Sequence, residues 1–150
     1  MSTIPVQILH VDDDEDDRIL FDLAIKKVSI TSNIVDAPDG TECMDILKTF
    51  LPDIIFLDIN MAGMNGKDCL KLIRTQQKFD TIPIIMLTTS TSESDIADTF
   101  QSGANLFVTK PFRYENLIIL LQRIFAGNWK VNLLKNTLTS YVFRDNKSTS

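Results

Sequence analysis

Pro52-Asp53-Ile54-Ile55-Phe56-Leu57-Asp58-Ile59-Asn60 decides the fold of this chain. Four apolar residues in a row, with no polar alternation, read as a strand covered on both faces, as in the middle of a parallel sheet. The strand stops where its side chains turn charged, so it delivers the carboxylate of Asp58 at its C-terminal end. An earlier apolar run, Ile4 to Val11, ends the same way on Asp12, Asp13 and Asp14. If the two strands are parallel neighbours, their acids meet in one crevice, and in open α/β sheets that crevice is where ligands bind.

Working outward, short apolar runs alternate with helical periodicity. Strands are predicted at 4–11, 33–37, 54–57, 82–87 and 105–108. Between them, Phe21, Ala24, Ile25 and Val28 give a first helix over 15–29, and Met44, Leu47, Phe50 and Leu51 a second. Pro38-Asp39-Gly40 is read as a turn closing the second strand. Leu70, Ile73 and Gln77 mark a third helix after the loop Gly63 to Gly66. Ser92 with Asp95 resembles a capping box at the start of a fourth, which Gly103 ends. Leu117, Leu120, Leu121 and Ile124 form a fifth helix stopping at Gly127. Five strand–helix units in series predict an α/β fold with a mostly parallel sheet and helices on both faces.

The bulk properties fit one domain. The chain has 150 residues, 44% hydrophobic and 23% charged, and a net charge of -5. Such an acidic balance argues against a nucleic-acid surface. Cys43 and Cys69 make no metal-type pair, and a reduced setting is expected for them. The N-terminus has no secretory pattern, and no apolar run approaches the ~20 residues of a membrane span. The expectation is a soluble cytoplasmic domain over 1–127 and a tail over 128–150. The tail is mildly basic, with Lys130, Lys135, Arg144 and Lys147 against Asp145. Within it, 137–143 has strand propensity and is expected to pair with a sheet edge, in cis or in a dimer, ahead of a disordered end. Trp129 is expected as a packing anchor where the fifth helix meets the tail. His10 is expected to be a strand residue packed in place.

Further polar residues stand at strand ends. Thr88 follows Asp58 by thirty residues and Lys110 follows Thr88 by twenty-two, each about one strand–helix unit. Carboxylates sharing a crevice repel. Two unit charges ~4 Å apart cost ~4 kcal/mol at an effective dielectric of ~20. Either one acid is protonated or a cation binds, and Mg²⁺ suits an oxygen-lined site open to water and phosphate. One carboxylate is then placed to attack a phosphoryl group, with a hydroxyl (Thr88) and an ammonium (Lys110) holding the other phosphoryl oxygens. An EF-hand reading of Asp12, Asp14 and Asp16 fails, because Asp17 and Leu23 stand where that loop needs Gly and Glu.

These marks together resemble the receiver domains of two-component response regulators, of the single-domain type typified by the chemotaxis regulator. They are Asp12-Asp13, Leu57-Asp58-Ile59-Asn60-Met61, Met86-Leu87-Thr88-Thr89-Ser90 and Lys110-Pro111-Phe112, in order and at the family's spacing. The resemblance covers about 4–127. It implies a doubly wound, flavodoxin-like parallel sheet of order 2-1-3-4-5. It implies that Asp58 is the phosphoacceptor and that Mg²⁺ is held by Asp13, Asp58 and the backbone carbonyl of Asn60, with Asp12 acting through water. Thr88 and Lys110 would complete the catalytic set, and Thr88 with Phe107 the conformational switch, although Phe107 reads equally well as fixed core. A cis Lys110–Pro111 bond is also implied.

A sensor histidine kinase or phosphotransfer protein would supply the phosphoryl group, and the surface of the fourth helix, fifth strand and fifth helix would answer to an unknown protein target. A homodimer through that surface or the tail stays open. Too few residues follow Gly127 for a typical DNA-binding effector, so a protein contact is the expected output. The chain departs from the family pattern at Ala62, where proline is usual, and at Thr89, where alanine is frequent; a bulkier Thr89 is expected to slow phosphotransfer or hydrolysis. The acids Asp14 to Asp17 are expected to be a solvated helix start. Two rivals remain: a phosphorylation-independent docking module, and an aspartate-nucleophile phosphohydrolase, which would want a second aspartate where Asn60 stands.

Overall fold

The computed structural model of the chain describes residues 4–143. The elements run β1 (Val6–Val11), α1 (Glu15–Ile25), β2 (Ser32–Ala37), α2 (Gly40–Ile46), β3 (Ile54–Leu57), α3 (Gly66–Arg74), β4 (Ile84–Thr88), α4 (Glu93–Gln101), β5 (Leu106–Thr109), α5 (Tyr114–Ile124) and α6 (Trp129–Leu134). The strands form one parallel sheet of order β2-β1-β3-β4-β5, as expected. Alternate residues of each strand face opposite layers. Leu9, Val11, Ile55, Leu57, Ile84 and Met86 pack with Cys43 of α2, with Cys69, Leu70 and Ile73 of α3, and with Phe100 of α4. Ile8, Ile54, Phe56, Ile85 and Leu87 pack with Phe21, Ala24 and Ile25 of α1 and with Leu120, Leu121 and Ile124 of α5.

Several boundaries differ from the sequence pattern for local reasons. β1 begins at Val6, leaving Ile4 exposed beside Pro5, which has no N–H to give a ladder. α1 ends at Ile25 because the chain tightens there: Lys27 and Val28 donate to the carbonyls three residues back, Ala24 and Ile25. Pro38-Asp39-Gly40 opens a helix instead of closing a strand. Asp39 is the N-cap of α2, its carboxylate accepting from the Glu42 N–H at 2.8 Å. α2 ends before Phe50 and Leu51, and α3 before Gln77, which lies in a 3₁₀ turn over Gln77–Phe79. Ser92 caps α4 by accepting from the Asp95 N–H, but the Asp95 carboxylate turns to Ser90 and Lys67, so the box is half made. Every described peptide bond is trans, including Lys110–Pro111, where the resemblance implies cis.

The residues after Gly127 pack onto the body. α6 places Leu133 against the α1/α5 layer, and the Trp129 ring meets Phe125 edge-on at 5.1 Å. Beyond a 3₁₀ turn over Leu138–Ser140, the chain forms a single parallel bridge to the open edge of β5. Phe107 N–H donates to the Tyr141 carbonyl and Phe143 N–H to the Phe107 carbonyl, both at 2.9 Å. The side chain of Tyr141 is fully buried and shares a 2.6 Å hydrogen bond with the Thr99 hydroxyl of α4. The expected disordered end lies outside the described residues.

Candidate functional site

The carboxyl ends of β1, β3, β4 and β5 assemble one pocket. Backbone bonds set its frame: Asp58 N–H donates to the Val11 carbonyl at 3.0 Å, and Lys110 N–H to the Thr88 carbonyl at 2.7 Å. The first bond carries the register of β1 and β3 one residue on and brings Asp58 beside Asp12; the second ties the start of the Lys110 loop to the end of β4. One oxygen from each of Asp12, Asp13 and Asp58 lies within 4.8 Å of the others. Asp12 and Asp58 are buried, whereas Asp13 is exposed and accepts from the Ala62 N–H at 3.2 Å. Thr88 is buried at the end of β4, and its hydroxyl accepts from the Ser90 N–H at 3.4 Å. Thr89 is exposed.

Lys110 is the hub of the charges. Its Nζ lies 2.7 Å from Asp12 Oδ2, 3.0 Å from Asp58 Oδ2 and 2.8 Å from Asp17 Oδ2. Burial works against the ammonium, but these carboxylates outweigh it and push Lys110 above the usual lysine range, so it stays charged. Burial raises the carboxyl of Asp12, and Lys110 only partly offsets this. The link to Asp17 corrects the expectation that Asp14 to Asp17 simply face solvent. Asp14 is the N-cap of α1, accepting from the N–H groups of Asp16 and Asp17, but Asp17 turns into the pocket. It was missed because an acid in the first turn of a helix is already explained by the macrodipole.

Two further features escaped the sequence. An added Cβ at Gly66 would sit 2.0 Å from the carbonyl oxygen of Asp58, so α3 can start where it does only with glycine. Lys67, next along, bridges α3 to α4 through Asp95 and Asp98 and lines an open cleft with Asp13, Asn60, Met61 and Ala62. The cleft has a volume of about 430 Å³. Asn60 contributes its N–H to Asp58 Oδ1 at 3.3 Å, and its carbonyl belongs to the same loop.

Asp12, Asp13, Asp17 and Asp58 outnumber the single ammonium of Lys110, an excess of acid that a divalent cation would offset. The donor set is all oxygen and opens to water on the Asp13 side, which fits a hard ion such as Mg²⁺. Phe107 is fully buried, its ring 6.2 Å from that of Tyr141.

The family model described as response regulator receiver domain matches residues 8–122. The chain belongs to this family. Receiver domains bind Mg²⁺ at their acidic pocket and work with histidine kinases or phosphotransfer proteins in two-component signalling. The chemotaxis protein CheY of Pseudomonas aeruginosa is 31% identical over 120 residues, covering 80% of this chain and 96% of that protein. The DNA-binding response regulator MtrA of Mycobacterium tuberculosis is 30% identical over 118 residues, covering 79% of this chain and 50% of that protein. This receiver chain therefore spans about half the length of MtrA but nearly all of CheY. Among solved structures, the Mn²⁺-bound form of the response regulator Rcp1 superposes with a TM-score of 0.74 at 28% identity, covering 80% of this chain and 91% of that one. Among the described residues, no helix is long and apolar enough to cross a membrane.

Proposed function

We propose that this chain is a cytoplasmic phosphoreceiver whose Asp58 accepts a phosphoryl group from a histidine kinase or phosphotransfer protein. The observation that carries this is the placement of Asp58 Oδ2 3.0 Å from the Lys110 ammonium, inside the Asp12–Asp13–Asp58 cluster. An Asp58 oxygen attacks phosphorus, and the bond from phosphorus to the donor's imidazole nitrogen breaks. Mg²⁺, held by Asp13, Asp58 and the Asn60 carbonyl with Asp12 through water, would neutralise the phosphoryl oxygens. Lys110 is already charged and within reach, so it turns from Asp58 to a phosphoryl oxygen without a change of protonation. Thr88 supplies a hydroxyl from the adjoining strand end. Thr89, at the exposed mouth, slows donor or water entry. The chain catalyses only its own phosphorylation and dephosphorylation.

A phosphoryl group adds about -1.5 to -2 charge. Thr88 moving toward it would draw on β5, because Thr88 and Thr109 are register partners and Phe107 lies two residues before Thr109. The α4–β5–α5 face then changes its affinity for a protein partner, typically 5- to 150-fold for a coupling of ~1–3 kcal/mol. Acetyl phosphate with Mg²⁺ is expected to label the native chain, with Asp58→Asn unlabelled. Undiminished labelling of Asp58→Asn would overturn the assignment.

A further inference from the structure

Beside the acid pocket, on the α1 face of the sheet, sits a second polar cluster that phosphoryl transfer does not use. Among the described residues, the buried side-chain atoms with no hydrogen-bond partner are His10 Nδ1, Asp22 Oδ1 and Asp36 Oδ1. Buried polar atoms are almost always paired, so each orphan calls for a physical account. The three residues converge: one side-chain donor atom from each lies within 4.8 Å of the others, and His10 Nδ1 lies 3.5 Å from Asp36 Oδ1. The fold sets this up from three elements. His10 on β1 and Asp36 on β2 are register partners, and Asp22 comes from α1, next to Phe21, whose ring stacks on the imidazole at 4.0 Å.

His10 is 2% exposed, and its Nδ1 points at Asp36 Oδ1 from 3.5 Å, beyond an ordinary hydrogen bond. The two carboxylates face each other, and burial together with Asp36 pushes Asp22 up to about 7. The Asp36 side chain is 30% exposed, so the cluster opens to solvent along the β2 edge. An imidazole that is buried, locked by stacking and turned toward two acids, with only a long contact to one of them, is a pre-formed set of ligand atoms.

We propose that His10 Nδ1, Asp22 Oδ1 and Asp36 Oδ1 form a binding site for a divalent transition-metal ion, distinct from the Mg²⁺ pocket. One imidazole nitrogen and two carboxylate oxygens suit Zn²⁺ or a neighbouring first-row ion, while the all-oxygen pocket next door suits a harder one. Metal–ligand bonds of about 2.0–2.2 Å put donor atoms about 3–3.5 Å apart. The His10–Asp36 pair already meets that spacing, and small rotations of the carboxylates close the rest. The ion's two positive charges cancel the two carboxylates. With three protein ligands, a fourth position is left toward solvent. His10 Nε2 faces away from the site, 4.0 Å from Asp12 Oδ2.

His10 is the one histidine of the chain, so imidazole ¹⁵N spectra contain a single pair of resonances. The test titrates Zn²⁺ into the full chain carrying Asp13→Asn and Asp58→Asn, in excess Mg²⁺, so that the acid pocket cannot compete. One equivalent of Zn²⁺ is expected to move the Nδ1 resonance of His10 and leave Nε2 largely in place. Asp22→Asn and Asp36→Asn, added separately as near-isosteric changes and checked for folding by circular dichroism, are each expected to weaken binding at least about tenfold. Unmoved His10 resonances at stoichiometric Zn²⁺, a shift at Nε2 instead of Nδ1, or affinity undiminished by Asp22→Asn and by Asp36→Asn would each overturn the site.

Discussion

Lys110 and Arg74 are two partly buried cations at opposite ends of the strands β4 and β5, and their surroundings differ in kind. Lys110, after β5, is held by the carboxylates of Asp12, Asp17 and Asp58. Arg74, at the end of α3, reaches the N-terminal edge of β4 and β5. There its Nε donates to the Gly103 carbonyl at 2.9 Å, its Nη1 to the Phe79 carbonyl at 2.8 Å, and its Nη2 to the Ile82 carbonyl at 2.9 Å and Asn105 Oδ1 at 3.0 Å. Neutral acceptors in a fixed fork hold one geometry. A knot of charges can exchange partners when another ion or a phosphoryl group arrives. The difference separates a joint from a proposed switch: the same strands are pinned at one end and held by exchangeable charges at the other.

The largest expected effect comes from removing each cation. Arg74→Met leaves several carbonyls without a donor and is expected to cost about 3–5 kcal/mol of stability, independent of Mg²⁺. Lys110→Met strands two buried carboxylates and is expected to cost a similar about 3–5 kcal/mol in the absence of divalent ions. Most of that loss relative to the native chain should return with saturating Mg²⁺, because the ion takes over the charge of the lost ammonium and so binds the Lys110→Met pocket more tightly than the native one. Urea unfolding with EDTA and with Mg²⁺ reads both. If Mg²⁺ restores both variants equally, or neither, the two ends do not differ in the way their partners suggest.

The contrast also explains what could be read in the sequence. Ile54–Leu57 was bounded correctly because a central strand's limits are set by the residues themselves, apolar inside and charged at the end. The same rule located Asp12, Asp58, Thr88 and Lys110; series order with right-handed crossovers left few topologies, and the family resemblance implied the strand order that is observed. Arg74 was invisible, since one arginine at the end of an amphipathic helix looks solvated until the chain folds back over it. Asp17 was hidden behind a sufficient local explanation. The start of α2 was misread because Asp39 serves equally as a turn residue and an N-cap, a choice settled by the packing of Cys43 and its helix against the sheet. Tyr141 looked like an edge-strand residue; only the β5 edge and the hydroxyl of Thr99 make it core.

Gly66 sharpens the comparison from the switch side. A Cβ added there would collide with the backbone that carries Asp58, so Gly66→Ala must push either α3 or Asp58 aside. Overpacking of this kind typically costs about 1–3 kcal/mol. Here it should also slow labelling by acetyl phosphate per folded molecule, because the displaced backbone bears the acceptor. A variant that loses stability yet labels at the native rate would show that α3, not Asp58, gives way, and that the pocket is better braced than its charges imply.

The smallest effect tests whether the tail belongs with the joint or the switch. The Tyr141 hydroxyl is buried against Thr99, and burial pushes its pKa from 10.0 up to about 12. The folded chain therefore keeps the phenol proton at a pH where the unfolded chain has lost it. Its contribution is complete below pH 10 and declines as pH rises toward 12, by at most about 1.4 kcal/mol per unit. Tyr141→Phe removes that alkaline slope and, at neutral pH, costs about 1 kcal/mol for the lost hydrogen bond. Urea midpoints measured across this range for both chains give the slope directly. Repeating the neutral-pH comparison of the native chain and Tyr141→Phe with beryllofluoride and Mg²⁺ decides the assignment. A cost of Tyr141→Phe unchanged by the phosphoryl mimic places Tyr141 with the fixed part of the fold. A cost that shrinks means the tail loosens in the phosphoryl-like state, which makes the β5 bridge part of the proposed output.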